Sequence, residues 1–313
     1  MINALVFCAS RFIFYGMRRL SRGMEALLSV RKKTMKRSII LAWAALVAAC
    51  FTSSILSAQE TQTMTKDVQP GATVLMTAEL PLATGGEWNG GDAMPLGGPN
   101  PIDPEKTENL KYWLFIPTDE AEKTEDGFPL LLFLHGAGER GDDPEKVKIH
   151  GPIKYCLDSE KSKTWPFITV APQTKGIRFW SPAQLRVLLE QICATYPVDK
   201  SRVYVTGLSM GGFGTWGMIA HNADIIAAAA PLCGGYPLEF APKMAKTPIW
   251  AFHGDADGAV KYEYSRDLVE AVRAAGNKDV KFTTYPGVGH DCWTRTYANP
   301  ELYKWLLSKK LEK

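Results

Sequence analysis

The chain is 313 residues long, 46% hydrophobic and 22% charged, with a formal net charge of +3. That composition excludes a largely disordered chain and allows a sizeable core. Residues 1–38 carry nine Lys or Arg against Glu25 alone, so the remainder is at about −5 and offers no field for gathering nucleic acid.

From the amino terminus, the basic start runs into an apolar stretch, Ile39 to Cys50, and then into small polar residues ending Ser57-Ala58-Gln59-Glu60. This is the layout of a secretory signal peptide. The positive flank stays cytoplasmic, and the apolar stretch is shorter than the ~20 residues that a membrane span needs. Cleavage after Ala58 and a secreted or periplasmic product are expected. Two alternatives stay open. An uncleaved leader would act as an amphiphilic anchor, and Val47-Ala48-Ala49-Cys50 resembles a bacterial lipobox, so lipidation at Cys50 would put the chain on a membrane. Met35 is a second candidate start.

Residues 59–107 are rich in Gly, Pro, Thr and Asn, including Gly85-Gly86, Gly90-Gly91 and Gly97 to Pro101, and read as an extension with one or two antiparallel edge strands. From residue 110 short β-rich runs begin: 110–117, 129–135, 167–172, 202–207, 225–231, 248–253 and 280–285. They alternate with stretches of helical period at 181–196, 213–221, 262–275 and 301–311, which implies βαβ units. Runs such as Leu130 to Leu134 and Ala227 to Pro231 are continuously apolar. Strands covered by helices on both faces have this character, so an α/β fold with a mainly parallel sheet is expected.

Outside the leader, Cys156, Cys193, Cys233 and Cys292 allow three pairings and show no zinc-type spacing. Disulfides and buried thiols both remain open for an exported domain. No metal is expected.

The strongest chemical signal is Arg202 to Gly212, in which a β run enters Gly207-Leu208-Ser209-Met210-Gly211 and a helical stretch leaves it. A serine on such a turn holds its hydroxyl out from a strained backbone, and the glycines on either side remove side chains that would collide. The bland reading of Ser209 is a helix N-cap. Acyl transfer also needs donors for a developing oxyanion. The backbone N–H of Met210 is one candidate. Ala137, in the glycine-rich turn His135 to Gly141 after an apolar strand, is the second, with Gly138 as fallback. Among five histidines, His290 lies in a loop between the last strand run and the last helix, late enough to swing over a serine. Ser, acid, His is the chain order that accompanies such an elbow. The acid falls in His253-Gly254-Asp255-Ala256-Asp257, where Asp257 is preferred and Asp255 suits a turn-backbone bond. Phe179, Trp180, Tyr236 and Trp293 are candidate pocket residues in loops at strand ends, and simple packing is their bland reading.

The segments 197–212, 135–141, 253–257 and 287–293 together resemble the secreted bacterial carboxylesterase and "predicted peptidase" branch of the α/β-hydrolases. They are similar also to phospholipase/carboxylesterase and dienelactone hydrolase-like proteins. The likeness spans roughly residues 108–312. It implies the α/β-hydrolase fold, an acid at the last Asp of HG-x-x-D, here Asp257, and no cofactor. The organisation expected is a leader over 1–58, an extension over 59–107 and an α/β-hydrolase catalytic domain over 108–313.

The leading function is cleavage of small-molecule or carbohydrate-linked carboxylic esters through an acyl-enzyme on Ser209, Asp257 and His290. A serine peptidase of the prolyl-oligopeptidase kind and a non-catalytic binding protein are the alternatives; the oligomeric state is not legible.

Overall fold

The computed structural model describes residues 68–84, 101–118, 121, 123–176 and 178–311. The leader readings at Met35, Cys50 and Ala58, and the glycine pairs 85–86 and 90–91, lie outside them.

β1 (Thr73–Ala83) and β2 (Ile102–Phe115) form an antiparallel pair, with Thr73 opposite Phe115 and an irregularity at Pro81/Leu82. Pro81 has no N–H to donate, so β1 suits the sheet edge. β3 (Phe128–Leu134) is buried at every position, as its unbroken apolar run requires. There follow α1 (Ile153–Leu157), β4 (Ile168–Pro172), α2 (Pro182–Thr195), β5 (Val198–Leu208), α3 (Met210–His221) and β6 (Ala228–Leu232). β7 (Ile249–Gly254), α4 (Tyr262–Ala274), β8 (Val280–Tyr285), α5 (Trp293–Tyr297) and α6 (Pro300–Leu307) complete the chain.

The strands make one sheet in the order β1-β2-β4-β3-β5-β6-β7-β8. β2 meets β4 antiparallel, and every pairing from β4 to β8 is parallel. Successive side chains of a strand point to opposite faces. Leu130, Leu132 and Leu134 of β3 therefore join one core with Leu185 and Leu188 of α2 and Trp216 of α3. Leu131 and Phe133 join the other with Trp165, Tyr303 and Leu306.

Three expectations shift. The 107/108 boundary falls inside β2, so the Gly/Pro-rich segment supplies the antiparallel edge of the same sheet. Exposed Glu105 and Lys106 hide that half-strand in the sequence. β6 begins only at Ala228, since Ile225 is held in a turn by its N–H bond to Asn222 O, 3.1 Å. α6 stops at Leu307, and Leu311 N–H turns away to Ser201 O, 2.8 Å. Cys156, Cys193, Cys233 and Cys292 are all unpaired thiols. No helix among the described residues is long and apolar enough to cross a membrane.

Candidate active site

β5 delivers Ser209 at its carboxyl end, where φ is 54° and ψ −117°, and α3 departs at Met210. A positive φ strains a residue that carries a Cβ, and the surroundings impose it here. A Cβ at Gly211 would fall into the carbonyl of Leu134, and one at Gly212 into that of Leu232. The glycines therefore let the elbow press directly on the ends of β3 and β6. Ser209 N–H is fixed by Leu232 O at 3.0 Å and Cys233 Sγ at 3.3 Å.

The loops after β7 and β8 meet because Gly254 has no side chain: a Cβ there would strike Val288 O. Ala256 N–H bonds Val288 O at 3.1 Å. This contact sets Asp257 beside His290. His290 Nδ1 lies 2.7 Å from Asp257 Oδ2, and Nε2 lies 2.9 Å from Ser209 Oγ. With Nδ1–H donating to the carboxylate, Nε2 accepts the serine proton.

Asp257 Oδ1 accepts from Ala259 N–H at 2.8 Å and Val260 N–H at 2.9 Å, and Oδ2 takes a second histidine, His253 Nε2, at 3.1 Å. Burial would raise this carboxyl, but the bonds from His253, His290, Val260 and Ala259 outweigh it and hold it well below the usual carboxylate range. Asp255 instead accepts Gly287 N–H at 2.6 Å from an exposed position. It ties the His290 loop but does not touch the imidazole.

Across from the elbow, Gly136 N–H is consumed by Glu139 Oε2 at 2.8 Å, which leaves Ala137 at the start of the short 3₁₀ turn Ala137–Glu139. Met210 opens α3, where a first-turn N–H has no intrahelical acceptor. His135 braces this loop: Nδ1 is 2.6 Å from Gly136 O, and Nε2 accepts Thr174 N–H at 3.1 Å. Burial lowers His135 to about 4, so the ring is neutral, as that pair of bonds requires.

Of the candidate pocket residues, Trp293 is beside the centre, its ring edge-on to His290 at 5.1 Å. Trp180 and Tyr236 are both buried. Trp180 is buried against Gly214 of α3 and donates to His135 O at 3.2 Å; buried Tyr236 bonds His221 Nε2 at 2.9 Å. Phe179 is half-buried against the same core.

Two neighbours escaped the sequence reading. His253 is fully buried, with Nε2 facing the acceptors Asp257 Oδ2 and Val260 O and Nδ1 2.8 Å from Ser265 Oγ. Cys233 Sγ, Asp257 and His290 each place one ligand-type atom within 4.8 Å of the others. A cation there would have to displace the hydrogens that already fill Asp257. Burial also pushes the Cys233 thiol up, away from the thiolate that a metal or a nucleophilic role needs.

The thermostable esterase of known structure is 31% identical, with a TM-score of 0.60 over 67% of this chain and 61% of that one. The dienelactone hydrolase family matches residues 183–301, a stretch that holds Ser209, Asp257 and His290. The chain has the α/β-hydrolase fold and is similar to carboxylesterases. Two sequence relatives widen the picture. The bifunctional acetylxylan esterase/xylanase of Neocallimastix patriciarum is 28% identical over 188 residues, 56% of this α/β-hydrolase and 26% of that protein. Acyl-protein thioesterase 1 of Debaryomyces hansenii is 28% identical over 194 residues, 51% of this chain and 83% of its own length. This α/β-hydrolase thus spans about a quarter of the first relative and under two thirds of the esterase.

Proposed function

We propose that this chain is a serine hydrolase that cleaves carboxylic esters through an acyl-enzyme. The observation that carries the reading is the continuous relay Ser209 Oγ, His290, Asp257, with links of 2.9 and 2.7 Å on a strained elbow. Ser209 Oγ attacks the ester carbonyl carbon while His290 Nε2 takes its proton. Asp257 holds the tautomer and stabilises the imidazolium, and Met210 and Ala137 N–H groups receive the oxyanion. Collapse breaks the C–O bond, His290 returns the proton to the leaving alcohol, and water repeats the sequence on the acyl-serine. The name of the acetylxylan esterase relative favours a carbohydrate-linked ester as substrate, and that of the acyl-protein thioesterase relative leaves a thioester as the alternative.

Fluorophosphonate labelling and ester turnover test this together. Ser209→Ala should abolish labelling and lower kcat by roughly 10³ or more. A binding protein on this scaffold would neither label nor turn over ester. An amide leaving group needs protonation by a well-placed imidazolium and a grip on both sides of the bond. The p-nitrophenyl ester should therefore exceed the matching anilide in kcat/KM by about 10³; equal rates would favour the peptidase reading. Export is part of the proposal: sequencing the protein from its native host should begin near Gln59. A lipidated Cys50 would shift it to a membrane, and an intact Met1 would end the secretion reading.

A further inference from the structure

Trp293 is edge-on to His290 at 5.1 Å and to His150 at 5.6 Å, so one ring borders both the reacting histidine and a neighbouring cleft. That cleft, about 200 Å³, lies between α1 and α5, and His150, Lys154, Tyr155, Lys161 and Trp293 line it. Its titratable lining is basic or phenolic, with no carboxylate. The positive charge is also incompletely answered nearby. Lys154 has no ion-pair partner among the described residues, and Lys161 reaches Asp158 only at 3.7 Å. The rest of the chain is net acidic, at about −5 beyond residue 38, and would by itself repel an anion.

From this placement we infer that the cleft is a specificity subsite for esters that carry a carboxylate on a ring beyond the scissile bond. The ring would lie along Trp293, and its carboxylate would reach Lys154 and Lys161. A carboxylate on an aromatic ring and one on a sugar ring share this chemistry. The inference rests on the ester-hydrolase reading of Ser209 and His290, and it adds a substrate class to it.

Two matched pairs test it on the exported chain. One is phenyl acetate with a para carboxymethyl group against its primary amide; the other is an acetylated methyl glucuronide against the acetylated methyl glucoside. The expected kcat/KM ratio of anion to neutral is roughly tenfold at low ionic strength, falling towards one in about 0.5 M salt. Lys154→Glu combined with Lys161→Glu should lower the ratio at least tenfold, whereas Lys243→Glu combined with Lys278→Glu, the same charge change elsewhere, should not. Preference in one pair supports the subsite and identifies the ring. A ratio near one in both pairs, or an equal fall in both double variants, overturns it. Neutral ester turnover that is lost in Ser209→Ala, together with no anion preference, sinks only this inference. Turnover that survives Ser209→Ala sinks the reading beneath it.

Discussion

Asp257 fills all its acceptor positions with four hydrogen-bond donors, whereas Asp255, two residues earlier, takes one backbone N–H at the surface. Position in the loop favoured Asp257, and the geometry supplies the reason. Asp257→Asn should cost roughly 10³ to 10⁴ in kcat, because an amide cannot hold His290 in the required tautomer. Asp255→Asn should stay within about tenfold of wild type; steady-state kinetics with one ester would compare them, and a worse loss for Asp255→Asn would reassign the acid. His253 was not legible, because a histidine ending a strand beside glycine looks the same whether it faces solvent or a buried carboxylate. The burial of Trp180 and Tyr236 was hidden for a related reason. A loop position at a strand end does not say whether a ring turns outward or, as here, inward.

At the level of elements, the elbow was readable because its glycines and its flanking strand and helix all serve one geometric need. The two helix-turn glycines nearest the reaction make opposite demands, however. Gly211 faces backbone that cannot move, and Gly138 has open space around a would-be Cβ. Gly211→Ala should therefore fail to fold or lose several degrees in Tm, while Gly138→Ala should keep wild-type Tm within a degree or two. Thermal melts followed by circular dichroism would show it; two equal melts would mean the elbow yields more than its contacts allow. The parallel strands were legible from unbroken apolar runs. The first half of β2 was not, because Pro104, Glu105, Lys106 and Thr107 are exposed in succession and carry the composition of a loop rather than the alternation of a half-buried strand.

Across the whole molecule, acid should act through carboxylates that folding has stabilised. Asp199 at the start of β5 accepts from Ser201 N–H and Oγ–H, from Arg202 Nε at 2.7 Å and from Thr124 Oγ1 at 3.3 Å. Burial alone would raise it, but the bonds from Ser201 and Arg202 bring it down from 3.8 to about 2. A depressed folded value contributes stability above the unfolded pKa, lost as pH falls from about 3.8 through about 2. The contribution at neutral pH is roughly 2 kcal/mol. Urea unfolding of wild type and Asp199→Asn should differ by about that much at pH 7 and converge near pH 2; a gap that persists into acid would locate the effect in packing. Asp257 is held below the ordinary carboxylate range in the same way, by the bonds it accepts from His253, His290, Val260 and Ala259. Finally, the four thiols of the described body are unpaired. Under the proposed export the described body would reach an oxidising compartment without a covalent cross-link, and residues 59–313 expressed without the leader should mature in a reducing cytosol with no oxidase or disulfide isomerase to assist them.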